Sequence, residues 1–164
     1  AALLLQGAAW AQAPAKPNDQ QIAHIAYAAG QIDIDAARAA IAKSKNKAVV
    51  DFAKEMVNDH EAVNLKALAL VKKFNMTPLD NDTSRALTKA AGAKAAELAK
   101  LDGAAFDRAY MANEVAFHKQ VVDALNGVLV PAASNAELKD LLQTGAKLFE
   151  GHRQHAERVV AELK

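Results

Sequence analysis

Four runs of apolar residues, each recurring at three- and four-residue spacing and each separated from the next by a clear break, constrain this chain more than any other feature of it. That period marks one face of an α-helix, not the alternation of a half-buried strand. Asn18 or Asp19 is placed to cap a first helix with Ile22, Ala26, Ala29, Ala36 and Ala40 along one side. After a break at Ser44 to Asn46, a second run carries Val49, Ala53, Met56, Val63, Ala67 and Val71 and stops before Asn75 and Pro78. Asp102 is expected to cap a third, with Phe106, Tyr110, Phe117, Val121, Leu125 and Val128 facing inward until Gly127 and Pro131 interrupt it. Ser134 and Glu137 stand at capping-box spacing before a fourth, whose stripe is Leu138, Leu141, Gly145, Leu148, Ala156, Val159 and Leu163.

The first and second runs, and the third and fourth, are joined by connections short enough to force antiparallel pairs. Between the second and third lie about 28 residues, far more than a bundle turn needs. Within them Leu79 to Asp82 reads as loop, and Thr83 to Leu101 as an alanine- and lysine-rich helix without a strong apolar stripe. A helix of about 18 residues rises roughly 27 Å, enough to carry the chain back along a bundle. The expected fold is therefore all-α, a ferritin-like four-helix bundle with a helical crossover connection between the second and third long helices. An up-down-up-down bundle with a decorated loop is the alternative. Composition agrees: apolar residues are 52% of the chain, drawn mainly from Ala, Leu and Val, while aromatics are 5%, as in helices packed through small side chains.

The 164 residues divide into three parts in this reading. Residues 1–13 are apolar, uncharged and end in small residues, like the later part of a secretory signal peptide, with cleavage expected near Ala11 or Ala13. Residues 14–18 form a linker and residues 19–164 the bundle domain. The first stretch is shorter than the roughly 20 residues a membrane span requires. Export to the bacterial periplasm, with no integral membrane span, is the expectation.

Several functions are disfavoured by composition. Twenty basic and nineteen acidic residues leave a net charge of +1 with no basic block, so a nucleic-acid partner is not expected. The lack of cysteine removes thiol catalysis, thiolate metal sites and disulfides, so any metal must take nitrogen and oxygen ligands. Neither a Gly-rich phosphate loop nor a nucleophile elbow is present.

What stands out is an exception repeated on every long helix. Asp33 interrupts the first stripe, His60 falls between Met56 and Val63, Glu114 and His118 between Met111 and Val121, and His152 between Leu148 and Ala156. At about 1.5 Å of rise per residue all five come near mid-bundle, and Glu114 and His118, one turn apart, can face one point. Imidazole with carboxylate suits iron, zinc, copper or manganese, so Asp33, His60, Glu114, His118 and His152 are the candidate metal ligands. No acidic residue stands three before a histidine, which departs from the Glu-x-x-His pairs of di-iron bundles. The competing explanation is a hydrogen-bonded network that fixes helix register without a ligand. Asp59 and Asp107 are placed as supporting partners or surface residues, His155 as a surface histidine able to extend the layer, and Tyr110 as a core aromatic.

At these residues the chain resembles a bacterial family of exported ferritin-like proteins, catalogued as a domain of unknown function and labelled as outer-membrane or periplasmic proteins. The resemblance spans Gln20 to Lys164. It rests on Phe52-Ala-Lys-Glu-Met-Val-Asn-Asp-His60 with Asn64 following, on Gly103-Ala-Ala-Phe-Asp-Arg-Ala-Tyr-Met111 with Glu114 and His118 beyond, and on His152 with Ala156. Where the family has Glu on the first helix this chain has Asp33, and where it has Asp-His this chain has Phe117-His118. The resemblance implies a ferritin-like bundle and export, but no activity. Three functions follow: a periplasmic transition-metal-binding protein, an iron- or manganese-dependent oxidoreductase, or a metal-free envelope stress or protein-interaction module.

Overall fold

The computed structural model describes residues 16–163; the stretch read as a signal-peptide remainder, residues 1–13, lies outside them. Every regular element among the described residues is helical. Helix α1 spans Asp19–Lys43, α2 Lys47–Lys73, α3 Asp82–Leu98, α4 Gly103–Ala124 and α6 Ala136–Glu162, while a π-helical segment, Leu125–Leu129, and a short turn α5, Val130–Ala132, prolong α4. Asn18 begins α1 in a capping box with Gln21, Asn46 begins α2 by accepting from the amides of Ala48 and Val49, and Asn81 begins α3 in a second capping box with Ser84.

Contacts at the two ends fix the directions of the helices. At one end Leu79 N–H donates to the Gln20 carbonyl at 3.0 Å, so α3 sets out beside the start of α1. At the other, Lys43 Nζ donates to the Ala99 carbonyl at 2.7 Å and lies 3.3 Å from the Asp102 carboxylate. Helix α3 therefore runs the length of the molecule alongside α1, and α4 starts at the end where α2 starts, so α2 and α4 are parallel. Helix α6 returns: Lys73, ending α2, pairs with Glu137, opening α6, at 2.6 Å.

Two expected caps are used differently. Asp102 occupies the cap position of α4 but its side chain makes no capping bond, being drawn toward Lys43 instead. Asn135, not Ser134, caps α6 by accepting from Leu138 N–H, and the Asp19 carboxylate accepts from the amides of Ser134 and Asn135 at 2.8 and 2.9 Å. Asp19 thus ties the first helix to the last across 115 residues of sequence.

The third stripe also departs from expectation, because the chain does not leave the helix at Gly127 or Pro131. Pro131 lacks an N–H and its ring crowds the carbonyl four residues back; widening the turn to π geometry, with Val130 N–H on the Leu125 carbonyl, accommodates it. The wider turn brings Leu129 into the core, 5% exposed, and turns Val128 outward at 49%. On α6 the predicted Leu138, Gly145, Ala156 and Val159 are buried, but Leu142 and Phe149 take the buried places expected of Leu141 and Leu148, which are half-buried.

The interior consists of two apolar clusters. One, toward the α1–α2 turn, gathers Ala37, Val49, Phe52, Met56, Phe106, Tyr110, Met111 and Val159. The other gathers Ile22, Ile25, Val121, Leu125, Leu138, Leu142 and Phe149. In this second half the helices enclose a largely apolar cavity of about 540 Å³, lined by Ile25, Ala29, Val63, Ala67, Leu142 and Phe149 among others. Val63, Ala67 and Val71 are half-buried because they face this space.

Helices α1 and α2 approach closely at Gly30, where an added Cβ would stand 2.4 Å from Oδ1 of the buried Asn64. Gly30→Ala is expected to lower stability by about 1–3 kcal/mol through overpacking. In an Asn64→Ala background the same change should be neutral or stabilising, since the obstruction is gone and alanine favours helix. Denaturant unfolding of the four chains of this double-mutant cycle checks it; equal penalties in both backgrounds would rule out the contact as the cause.

Candidate metal centre

Between the two apolar clusters the four long helices each turn a polar side chain inward. Asp33 from α1, His60 from α2, Glu114 and His118 from α4 and His152 from α6 are all at most 2% exposed. All five candidate residues therefore lie in one buried layer. Nε2 of His60 lies 2.6 Å from Oδ2 of Asp33, and Nε2 of His118 lies 3.4 Å from the same oxygen. The three imidazole rings stand with centroids 5.1 to 5.8 Å apart, and one nitrogen from each of His60, His118 and His152 falls within 4.8 Å of the other two. One atom each from Asp33, Glu114 and His118 meets the same limit. Phe149 packs its ring against His60 and His118, at 4.7 and 5.3 Å between centroids, closing the layer on the cavity side.

Hydrogen bonds fix the tautomers of two rings. Nδ1 of His118 lies 2.9 Å from the Glu114 carbonyl, which can only accept, so Nδ1 carries a proton and Nε2 is turned toward Asp33 in the layer. Nε2 of His152 lies 2.9 Å from Asp59 Oδ2, so His152 donates there and keeps its lone pair on Nδ1. This is the arrangement of histidines whose other nitrogen binds a metal.

Well-aligned hydrogen bonds within the protein do not meet every polar atom of the layer. Both carboxylate oxygens of Asp33 and of Glu114, both nitrogens of His60, Nε2 of His118 and Nδ1 of His152 are buried without an aligned hydrogen-bond partner on the protein. Leaving buried polar groups unmet costs about 1–3 kcal/mol each, and these converge from four helices. The donor set and its unmet atoms fit a nitrogen- and oxygen-ligated transition metal.

The sequence profile of the domain of unknown function DUF4142 matches residues 5–159. The chain belongs to the DUF4142 family. No curated protein matches it. Among solved structures, the DUF4142 chain is similar to a DUF305 protein from Streptomyces coelicolor, described as secreted, with a TM-score of 0.74 at 13% identity over 87% of this chain and 91% of that one. It is also similar to CopM in its Cu(II)-bound form, with a TM-score of 0.69 at 14% identity over 92% of this chain and 100% of that one. Identities this low show a shared all-helical fold and no more.

Charge in the DUF4142 layer is unevenly held. Burial pushes the Asp33 carboxyl up, but the His118 and His60 rings outweigh it and hold Asp33 well below the ordinary carboxylate range. Glu114 is driven the other way, first by burial and then by the Asp33 charge, well above the ordinary carboxylate range, which favours its protonated form. Burial, with Glu114 and Asp33, also raises the phenol of Tyr110. Burial lowers His152, against the opposing pull of Asp59, which keeps that ring neutral.

Sequence reasoning weighed Asp59 but missed Glu55 and Phe149. Glu55 stands one turn before Asp59 on α2, a spacing visible in the sequence; Phe149 was hidden because the predicted stripe took its neighbour Leu148. Asp107 is buried, with Oδ1 unpartnered, and His155 is half-buried with Nδ1 2.8 Å from Glu55.

Because the folded chain holds the Glu114 carboxyl well above the 4.5 of its ordinary ionisation, its contribution opposes folding increasingly as pH rises from 4.5 toward its elevated folded pKa. Glu114→Gln, which resembles the protonated acid, should remove that slope. In chelator, the stability difference between Glu114→Gln and the parent chain should grow in favour of the variant as pH rises above 4.5. A pH-independent difference would contradict the assignment.

Proposed function

We propose that this DUF4142 protein is an exported, ferritin-like four-helix-bundle protein that binds a transition metal through Asp33, His60, Glu114, His118 and His152. The observation that carries the reading is the meeting of three buried imidazoles and two carboxylates whose donor atoms lack aligned partners on the protein. Parallel α2 and α4, joined by a helix running back along the molecule, favour the ferritin-like description. The secreted description of one structural neighbour and the Cu(II)-bound state of the other are consistent with export and with metal binding. No helix among the described residues is long and apolar enough to cross a membrane.

Three imidazoles with carboxylates suit Cu(II), Zn(II) or Fe(II), and Asp33 supplies the negative charge that offsets the cation. Binding would displace the Glu114 proton where that carboxyl ligates, so affinity should fall as pH is lowered. Such a site serves buffering, sensing or carriage of the metal in the periplasm.

Mature protein prepared without chelator or histidine tag is expected to carry about one equivalent of a single transition metal by mass spectrometry. The His60→Ala, His118→Ala double variant should lose it, with at least about a hundredfold lower affinity, and lose the metal-dependent rise in melting temperature. Failure to retain metal after reconstitution would overturn this reading and leave a metal-free interaction module. Steady consumption of oxygen or peroxide by iron-loaded protein would move it to an oxidoreductase.

A further inference from the structure

The buried layer lies between two apolar clusters, and Phe149 stands between it and the apolar cavity of the second, so an ion entering from either end would shed its hydration unaided. Moving a bare ion into an apolar interior is prohibitive, and each lost water must be replaced by a donor. A sequence of such donors runs through the seam between α2 and α6.

Glu55 and Asp59 are one turn apart on α2, and His152 and His155 lie three residues apart on α6. Across the seam His155 Nδ1 lies 2.8 Å from Glu55 Oε2, and His152 Nε2 lies 2.9 Å from Asp59 Oδ2. One donor atom from each of Glu55, Asp59 and His152 falls within 4.8 Å of the others. Exposure falls along this line: the side chains of Glu55, Asp59 and His155 are 42%, 39% and 31% exposed, and that of His152 is 3%. His152 belongs to both groups, outer and buried. One of its nitrogens is engaged by Asp59 while the other, Nδ1, is buried and unpartnered.

We propose that Glu55, Asp59 and His155, with His152, form an outer divalent-metal site that passes the ion to the buried layer. The inference rests on the metal-binding reading of that layer and names its route of loading. Two surface carboxylates attract a hydrated cation, and the first imidazoles displace its water. His152 borders both sets, with Nε2 on the Asp59 side and Nδ1 toward the layer, so an ion that displaces the Nε2 proton and then leaves the outer carboxylates meets the inner donors next. Glu55 and His155 touch the outer set alone, so changing them leaves the buried donors in place.

Full-length metal-free protein is mixed with Cu(II) and uptake followed by competition with a coloured copper indicator. The Glu55→Gln, His155→Gln variant is expected to load at least tenfold more slowly than the parent chain while reaching the same tightly held equivalent. The His60→Ala, His118→Ala variant should still take up one weakly held, rapidly exchanging Cu(II), lost when the two sets of changes are combined. Circular dichroism confirms that each variant is folded. Loading of the outer variant at the parent rate, or no copper on the folded inner variant, would overturn the proposal. A parent chain holding copper only weakly, as the inner variant does, would support the outer site and overturn the reading of the buried layer.

Discussion

Burying two carboxylates and three imidazoles in one cross-section of a helical bundle is the constraint to which the rest of this molecule is fitted. Two rings against Asp33 favour its charge, while burial first and the Asp33 charge second favour the protonated form of Glu114. The arrangement requires all four long helices at once, since no single helix carries more than two of the five residues. The apolar clusters on either side give the layer weakly polar surroundings, which strengthens the electrostatic interactions within it.

The fold was largely legible because it rests on periodicity and connection length. Apolar spacing located four long helices, and the excess length between α2 and α4 required a connection that travels, which is what α3 does beside α1. The layer was legible for the same reason: Asp33, His60, Glu114, His118 and His152 each occupy a position where helical period calls for an apolar residue. Polar residues at such positions are informative because burying them is costly.

What the sequence hid were features that depend on more than one helix. Pro131 signals a stop, yet a wide turn absorbed it and exchanged Val128 for Leu129 in the core. Asp19 looked like a local cap but serves the opposite end of the chain, because α6 happens to begin beside α1. Glu55 and the surface histidine His155 show no link until α2 and α6 are set side by side, and their pairing across 100 residues leaves no trace in local spacing.

The division of the layer between the two halves of the chain has a consequence for folding. Asp33 and His60 belong to the hairpin of α1 and α2, while Glu114, His118 and His152 belong to that of α4 and α6. Each hairpin is built from local contacts and can form early, whereas the layer comes into being only when the two dock. A ligand bridging the halves would act as a latch on that last step, raising the barrier to their separation, so that the long-range contacts, the slowest to form, become the hardest to undo.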